Sequence, residues 1–266
     1  MTNRIQQTFK DLKAKGGKAL IPYIMAGDPS LEITESLVLA LAEGGADLIE
    51  LGVPFSDPIA DGPVIQQAAE RALKSGTTLK KILSTVQSVR TKTNIPLIFM
   101  AYYNTILAMG LETFCAEAVS AGIDGLIVPD LPPEESDALY HATTAAGGPV
   151  VIFLLAPTST PQRRQEVMKR THGFIYYVSI TGITGAQLTD LTQVKKNVQT
   201  IQRMSKKPVA VGFGISTPDQ AHQVAQFADG VIIGSALVRT IAEQHQGSAF
   251  LPNLKTLTKN LKTALS

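Results

Sequence analysis

Cysteine is almost absent: Cys115 stands alone among 266 residues, so no intrachain disulfide can form and no Cys-x-x-Cys pair offers metal-ligand spacing. No His-x-His or spaced carboxylate cluster supplies it either. The four histidines, His141, His172, His222 and His245, fall on predicted helices or at a helix end, so a metal-dependent site is not expected. No run of about 18 apolar residues is present to span a membrane. Residues 1–18 lack the apolar core of a signal peptide and read as an amphipathic helix with Ile5, Phe9 and Leu12 on one face. An excess of one charge is missing too, with 24 basic against 22 acidic residues and a net charge of +2. The basic residues are scattered over predicted helix surfaces, which argues against nucleic acid as a partner. Low-complexity tracts and internal repeats are also lacking. These absences lead us to expect a reduced, cytoplasmic setting, or a plastid stroma if a transit peptide has been removed.

What is present is a globular composition. Hydrophobic residues make up 44% and charged residues 17%, with 21 Gly and 15 Pro spread along the chain, which excludes disorder and collagen-like structure. Eight short apolar runs, at 19–25, 47–53, 96–102, 125–129, 150–155, 174–179, 209–213 and 230–233, alternate with helical patterns. Most are continuous, as strands covered on both faces should be. Several helices have legible ends. Asp28-Pro29-Ser30 opens one that Gly44-Gly45 closes, 111–121 stops at Gly122, Pro132-Pro133-Glu134-Glu135 opens one that ends at Gly147-Gly148, and Thr217-Pro218-Asp219 starts another. Eight units of about 33 residues each make a single (β/α)8 TIM barrel over 1–266, with an extra N-terminal helix. An open doubly wound sheet is the rival, but no Gly-rich dinucleotide fingerprint follows the first strand.

Barrel enzymes place their chemistry at the C-terminal ends of strands, which directs attention to Glu50. In the second run Leu48, Glu50 and Gly52 share one face and Ile49, Leu51 and Val53 the other. Glu50 should therefore point into the barrel, where an unpaired carboxylate costs several kcal/mol. Either a Lys or Arg pairs with it or it serves chemistry, and none of the eight runs contains a basic residue. The Pro-rich loop that follows carries Asp57 and Asp61. Each could act on a substrate or cap the helix expected at 64–73. Asp130 reads more readily as a cap for the Pro-Pro-Glu-Glu helix, and Asp28 as a cap rather than a catalyst. Two carboxylates from one strand end and its loop could serve opposite sides of a small substrate, one moving protons and one stabilising developing charge.

Gly212-Phe213-Gly214 after the seventh run and Gly234-Ser235 after the eighth occupy the two loops where barrels commonly hold phosphate. Their glycines would let backbone N–H groups approach the anion, unless they merely turn the chain. The sixth loop, Ser179-Ile180-Thr181-Gly182-Ile183-Thr184-Gly185, has the composition of a hinged lid or a plain flexible turn. Tyr23, Tyr102, Tyr176 and Phe213 lie in or at the ends of strands and could line an aromatic-accepting pocket or simply fill the core. Cys115, on a helix, reads as core.

The segment Glu50-Leu-Gly-Val-Pro-Phe-Ser-Asp-Pro-Ile-Ala-Asp61-Gly-Pro-Val-Ile-Gln closely resembles the tryptophan synthase alpha chain family. The likeness extends through Ile21-Pro-Tyr-Ile-Met-Ala-Gly-Asp-Pro29, Val128-Pro-Asp-Leu-Pro-Pro-Glu-Glu135, Gly182-Ile-Thr-Gly185, Gly212-Phe-Gly-Ile-Ser216 and Gly234-Ser235. It implies an aldol-type lyase that cleaves indole-3-glycerol phosphate to indole and D-glyceraldehyde 3-phosphate, with no cofactor in this chain. By similarity, Glu50 is the acid/base and Asp61 holds the indole N–H. Gly185, Gly214, Gly234 and Ser235 match the phosphate site, with Tyr176 beside it. Thr184 matches a lid residue that reaches toward Asp61, and Tyr23, Tyr102 and Phe213 match positions near the indole. Ile180 departs from the arginine of some members, so any contact made by that arginine is absent.

The resemblance further implies a beta-chain partner that holds pyridoxal phosphate, in an alpha2beta2 heterotetramer that activates this chain. The regions 54–58, Asn104 and 129–133 match the contact surface. Competing readings are a stand-alone indole-releasing lyase, a phosphosugar isomerase or epimerase on the same barrel, and a regulatory subunit that binds the substrate without cleaving it.

Overall fold

The computed structural model describes residues 3–179, 191–212 and 214–266. Nine strand segments form one parallel sheet: β1 (Ala19–Met25), β2 (Ile49–Gly52), β3 (Leu97–Met100), β4 (Gly125–Ile127), β5 (Val150–Ile152), β6 (Leu154–Leu155), β7 (Ile175–Val178), β8 (Val209–Gly212) and β9 (Gly230–Ile233). Their spatial order is β5-β4-β3-β2-β1-β9-β8-β7-β6. The two outer segments are consecutive in the chain, joined through Phe153 alone, so the sheet closes into the expected barrel. The one departure from eight runs is the fifth, which divides between its neighbours: β5 pairs with β4 and β6 with β7. At the break, the Phe153 N–H leaves the ladder and donates to Thr171 Oγ1 at 3.1 Å.

The helices are α1 (Arg4–Ala14), α2 (Leu31–Glu43), α3 (Pro63–Lys74), α4 (Leu79–Arg90), α5 (Tyr103–Met109), α6 (Leu111–Ala121), α7 (Asp137–Ala146), α8 (Pro161–Arg170), α9 (Leu191–Met204), α10 (Pro218–Ala225), α11 (Ser235–Gln244) and α12 (Phe250–Ala264), and those after α1 surround the sheet. Among the described residues no helix is long and apolar enough to cross a membrane. The two faces of the strands feed separate cores. Outward residues such as Leu20, Ile24, Ile49, Leu51 and Phe99 pack against the helices. Inward residues, among them Ile21, Leu48, Ile98, Ile127, Ile152 and Ile232, fill the barrel.

The N-terminal helix closes the bottom of that interior. Ile5 and Phe9 of α1 join the inward cluster, each burial worth about 2 kcal/mol. The sequence makes room for them, since a Cβ on Gly125 would come within 2.8 Å of Ile5 Cδ1. Asn3 caps the helix through the Ile5 N–H at 2.8 Å and donates to the Asp124 carbonyl at 2.9 Å. The Asp124 carboxylate takes both Arg4 and Arg90 at 2.7 Å. On the same side a cleft of about 820 Å³ opens between α1, His172-Gly173 and 205–208, at the end of the barrel opposite Glu50.

Two helix starts differ from the sequence reading. Residues 133–135 form a separate 3-10 turn and α7 begins only at Asp137, after Ser136. Asp28 caps nothing. It is buried and paired with Arg71 through two bonds, Nε to Oδ1 at 2.7 Å and the second nitrogen to Oδ2 at 2.8 Å, which ties α3 to the end of β1. The start of α10 is as read, with a reciprocal cap between Thr217 and Gln220.

Candidate active site

Glu50 sits at the third inward level of the barrel. It lies in register with Tyr23 on β1 and Ile98 on β3. Leu48, two residues earlier on the same face, belongs to the inward cluster, while Ile49 and Leu51 face the helices. The side chain is fully buried, and among the described residues neither carboxylate oxygen has a hydrogen-bond partner. Among the described residues no basic side chain pairs with it to account for its burial. Desolvation alone pushes its pKa up to about 8 from an ordinary 4.5. A carboxyl in that state can give a proton and take one back near neutral pH.

Asp61 is carried over this position by the loop between β2 and α3. It is not the cap of α3, because Gly62 holds that place. Instead Asp61 Oδ2 accepts from the Tyr102 hydroxyl at 3.1 Å. Burial raises its pKa to about 6, and the Tyr102 bond opposes that rise. Asp57 is exposed, and its carboxylate accepts from the neighbouring Ser56 hydroxyl. Asp130 caps a helix, though not the one expected: both its oxygens accept from the Tyr103 N–H at the start of α5, at 2.9 and 3.2 Å.

Three tyrosines gather around the two carboxylates. Burial drives the Tyr23 and Tyr176 phenols well above their usual range, and Glu50 and Asp61 both add to the rise. Tyr102 is raised as well, by desolvation first and then by Asp61. Each phenol keeps its proton and can act as a donor. Tyr23 and Tyr176 also explain two glycines. A Cβ on Gly52 would lie 2.1 Å from the Tyr23 hydroxyl, and one on Gly212 would lie 2.6 Å from that of Tyr176. Gly212 lies within β8 and does not turn the chain; its missing side chain leaves space for a phenol. Gly52 was not singled out in the sequence, although its place on the Glu50 face two residues on was a usable signal.

Across the mouth, Gly214 has φ +76, a backbone conformation suited to glycine. Gly234 precedes α11, whose N-terminus has no side-chain cap and could receive an anion. Its missing side chain would meet Tyr23 at 3.5 Å. Ile180, Thr184, Gly185 and Phe213 lie outside the described residues. The histidines stand away from this face. His172 meets the Tyr140 hydroxyl at 3.2 Å, His222 the Ala264 carbonyl at 2.8 Å, and His245 the last carbonyls of α11. Among the described residues no three His, Cys, Asp or Glu side chains are grouped to hold a metal.

Fold and site together define a (β/α)8-barrel enzyme with a buried, unpaired carboxyl at the C-terminal ends of its strands. The family model described as tryptophan synthase alpha chain matches residues 9–266. Relatives named tryptophan synthase alpha chain include one from Geotalea daltonii, 52% identical over 99% of both chains, and one from Geobacter sulfurreducens, 54% identical over 89% of both. Among solved structures, tryptophan synthase subunit alpha from Legionella pneumophila is 40% identical, with a TM-score of 0.92 over 100% of this chain and 99% of that one. Tryptophan synthase from Mycobacterium tuberculosis superposes with a TM-score of 0.91 at 36% identity, over 100% of this chain and 99% of that one. The chain belongs to the tryptophan synthase alpha chain family. It is a lyase of tryptophan biosynthesis that acts on indole-3-glycerol phosphate and pairs with a beta chain, which holds the pyridoxal phosphate.

Proposed function

We propose that Glu50 and Asp61 carry the retro-aldol cleavage of indole-3-glycerol phosphate. The observation that supports this most directly is the burial of Glu50 with no partner at either oxygen among the described residues. The protonated Glu50 carboxyl delivers its proton to indole C3, and positive charge spreads to the ring nitrogen, where the Asp61 carboxylate accepts the N–H. The Glu50 carboxylate then takes the proton of the hydroxyl next to the ring. The bond between C3 and the glycerol carbon breaks, its electron pair neutralises the ring, and the hydroxyl carbon becomes the aldehyde of glyceraldehyde 3-phosphate. Glu50 ends as it began. In this reading the first turn of α11 at Gly234 and Ser235, with Gly214 and Gly185, binds the phosphate, and Tyr176 stands beside it. Tyr23, Tyr102 and Phe213 border the indole, and Thr184 closes toward Asp61.

The same reading takes 1–266 as one domain, cytoplasmic, and active in an alpha2beta2 heterotetramer. The test is indole release by purified chain, alone and with a tryptophan synthase beta chain added. Slow release that rises sharply with the beta chain is expected. Fast release by the chain alone would indicate a stand-alone lyase, and no release in either condition would leave a binding subunit. Glu50→Gln should abolish release with far-UV circular dichroism unchanged, and full activity in that variant would refute the assignment.

A further inference from the structure

We infer that Tyr102 is a positioning residue for Asp61, holding the carboxylate and its loop in one arrangement, a role separate from bordering an aromatic substrate. This rests on the reading of Asp61 as the group that receives the ring N–H.

Tyr102 follows β3 and is the residue just before α5. Its side chain is buried, and its hydroxyl is used in both directions. It accepts from the Ala60 N–H at 2.9 Å and donates to Asp61 Oδ2 at 3.1 Å. Two consecutive residues of the β2–α3 loop are thus fixed by one oxygen. The ring stacks on Phe55 of the same loop, with centroids 5.2 Å apart and planes at 27°. Within the loop, the Ile59 N–H donates to the Asp57 carbonyl at 2.9 Å and the Asp61 N–H to the Pro58 carbonyl at 3.0 Å. Gln66 adds a bond to the Asp61 carbonyl at 2.9 Å. None of these orients the Asp61 carboxylate; among the described residues Tyr102 does.

The base on which Tyr102 stands is itself anchored. The next residue, Tyr103, gives its N–H to both oxygens of Asp130, so the start of α5 is pinned to the end of β4. A carboxylate fixed at Oδ2 presents Oδ1 to a ring N–H with no reorganisation as charge develops, which is the condition for strong electrostatic stabilisation. The donated bond also favours the charged form, so Asp61 stays ionised to lower pH than its burial alone would allow.

Tyr102→Phe keeps the ring and its stack on Phe55 and removes only the hydroxyl. In the complex with the beta chain we expect kcat to fall about tenfold with KM within about twofold, and the acid limb of the kcat profile to move to higher pH. A 13C titration of the Asp61 carboxyl in the free chain should show the same upward move, a readout independent of turnover. In an Asp61→Asn background the added Tyr102→Phe change should cost nothing further. If Tyr102→Phe turns over within twofold of wild type, with neither limb nor titration moved, while Asp61→Asn is strongly impaired, Tyr102 only borders the pocket and the inference is wrong. If Asp61→Asn itself turns over normally, the reading of Asp61 fails and the inference with it, whatever the titration shows.

Discussion

Replacing Glu50 by Gln should stabilise the protein increasingly as pH rises, even as it removes activity. The folded chain holds the Glu50 proton up to about pH 8, whereas the unfolded chain releases it near 4.5. Between those values folding must be coupled to proton uptake, so stability is lost as pH climbs through this window and levels off above it. The gap corresponds to about 5 kcal/mol above pH 8, about 3 kcal/mol at pH 7 and under about 1 kcal/mol at pH 5. An amide at the same place has its own unsatisfied groups, at a cost of roughly 1–3 kcal/mol, but that cost does not vary with pH. The difference in unfolding free energy between Gln and Glu forms should therefore grow by about 3–4 kcal/mol from pH 5 to pH 8. Urea unfolding followed by far-UV circular dichroism at pH 5, 6, 7 and 8 measures it. Other titrating groups are common to both proteins and cancel. A difference that stays flat across this range would mean that Glu50 is ionised in the folded chain at ordinary cost, and the case for a buried proton donor would fail.

With Asp61 raised to about 6 and needed as a carboxylate, and Glu50 raised to about 8 and needed with its proton, kcat/KM should form a bell between those values; Asp61→Asn should remove the acid limb. Gly52→Ala should displace the Tyr23 phenol and cost about 1–3 kcal/mol, read as a lowered thermal midpoint together with reduced turnover. Ile5→Ala should lower stability by about 2–5 kcal/mol through a cavity at the closed end of the barrel, measured by urea unfolding, with kcat little changed because the site lies at the other end.

Much of this molecule was legible from local pattern. Continuous apolar runs separated by capped helices specify strands buried on both faces, and β1, α6 and α10 begin where the residues indicate. Alternation along the second run sufficed to turn Glu50 inward, because side chains in a strand have a strict period of two. Asp28 and Asp130 were misread because an acidic residue before a helix looks the same in sequence whether it caps that helix or reaches elsewhere. Asp28 instead meets Arg71, 43 positions away, and Asp130 meets Tyr103, 27 positions away.

The sequence by itself determined the barrel, the inward carboxylate and the family, since periodicity, chain punctuation and a long uninterrupted motif are local properties. Only the tertiary structure decided that Glu50 has no counter-ion among the described residues, that the Tyr102 hydroxyl bonds to Asp61, and that Gly52 and Gly212 make room for phenols from neighbouring strands. Those facts depend on which side chains barrel closure brings within a few ångströms. Closure is set by strand register around the whole ring, which no single segment of the chain encodes.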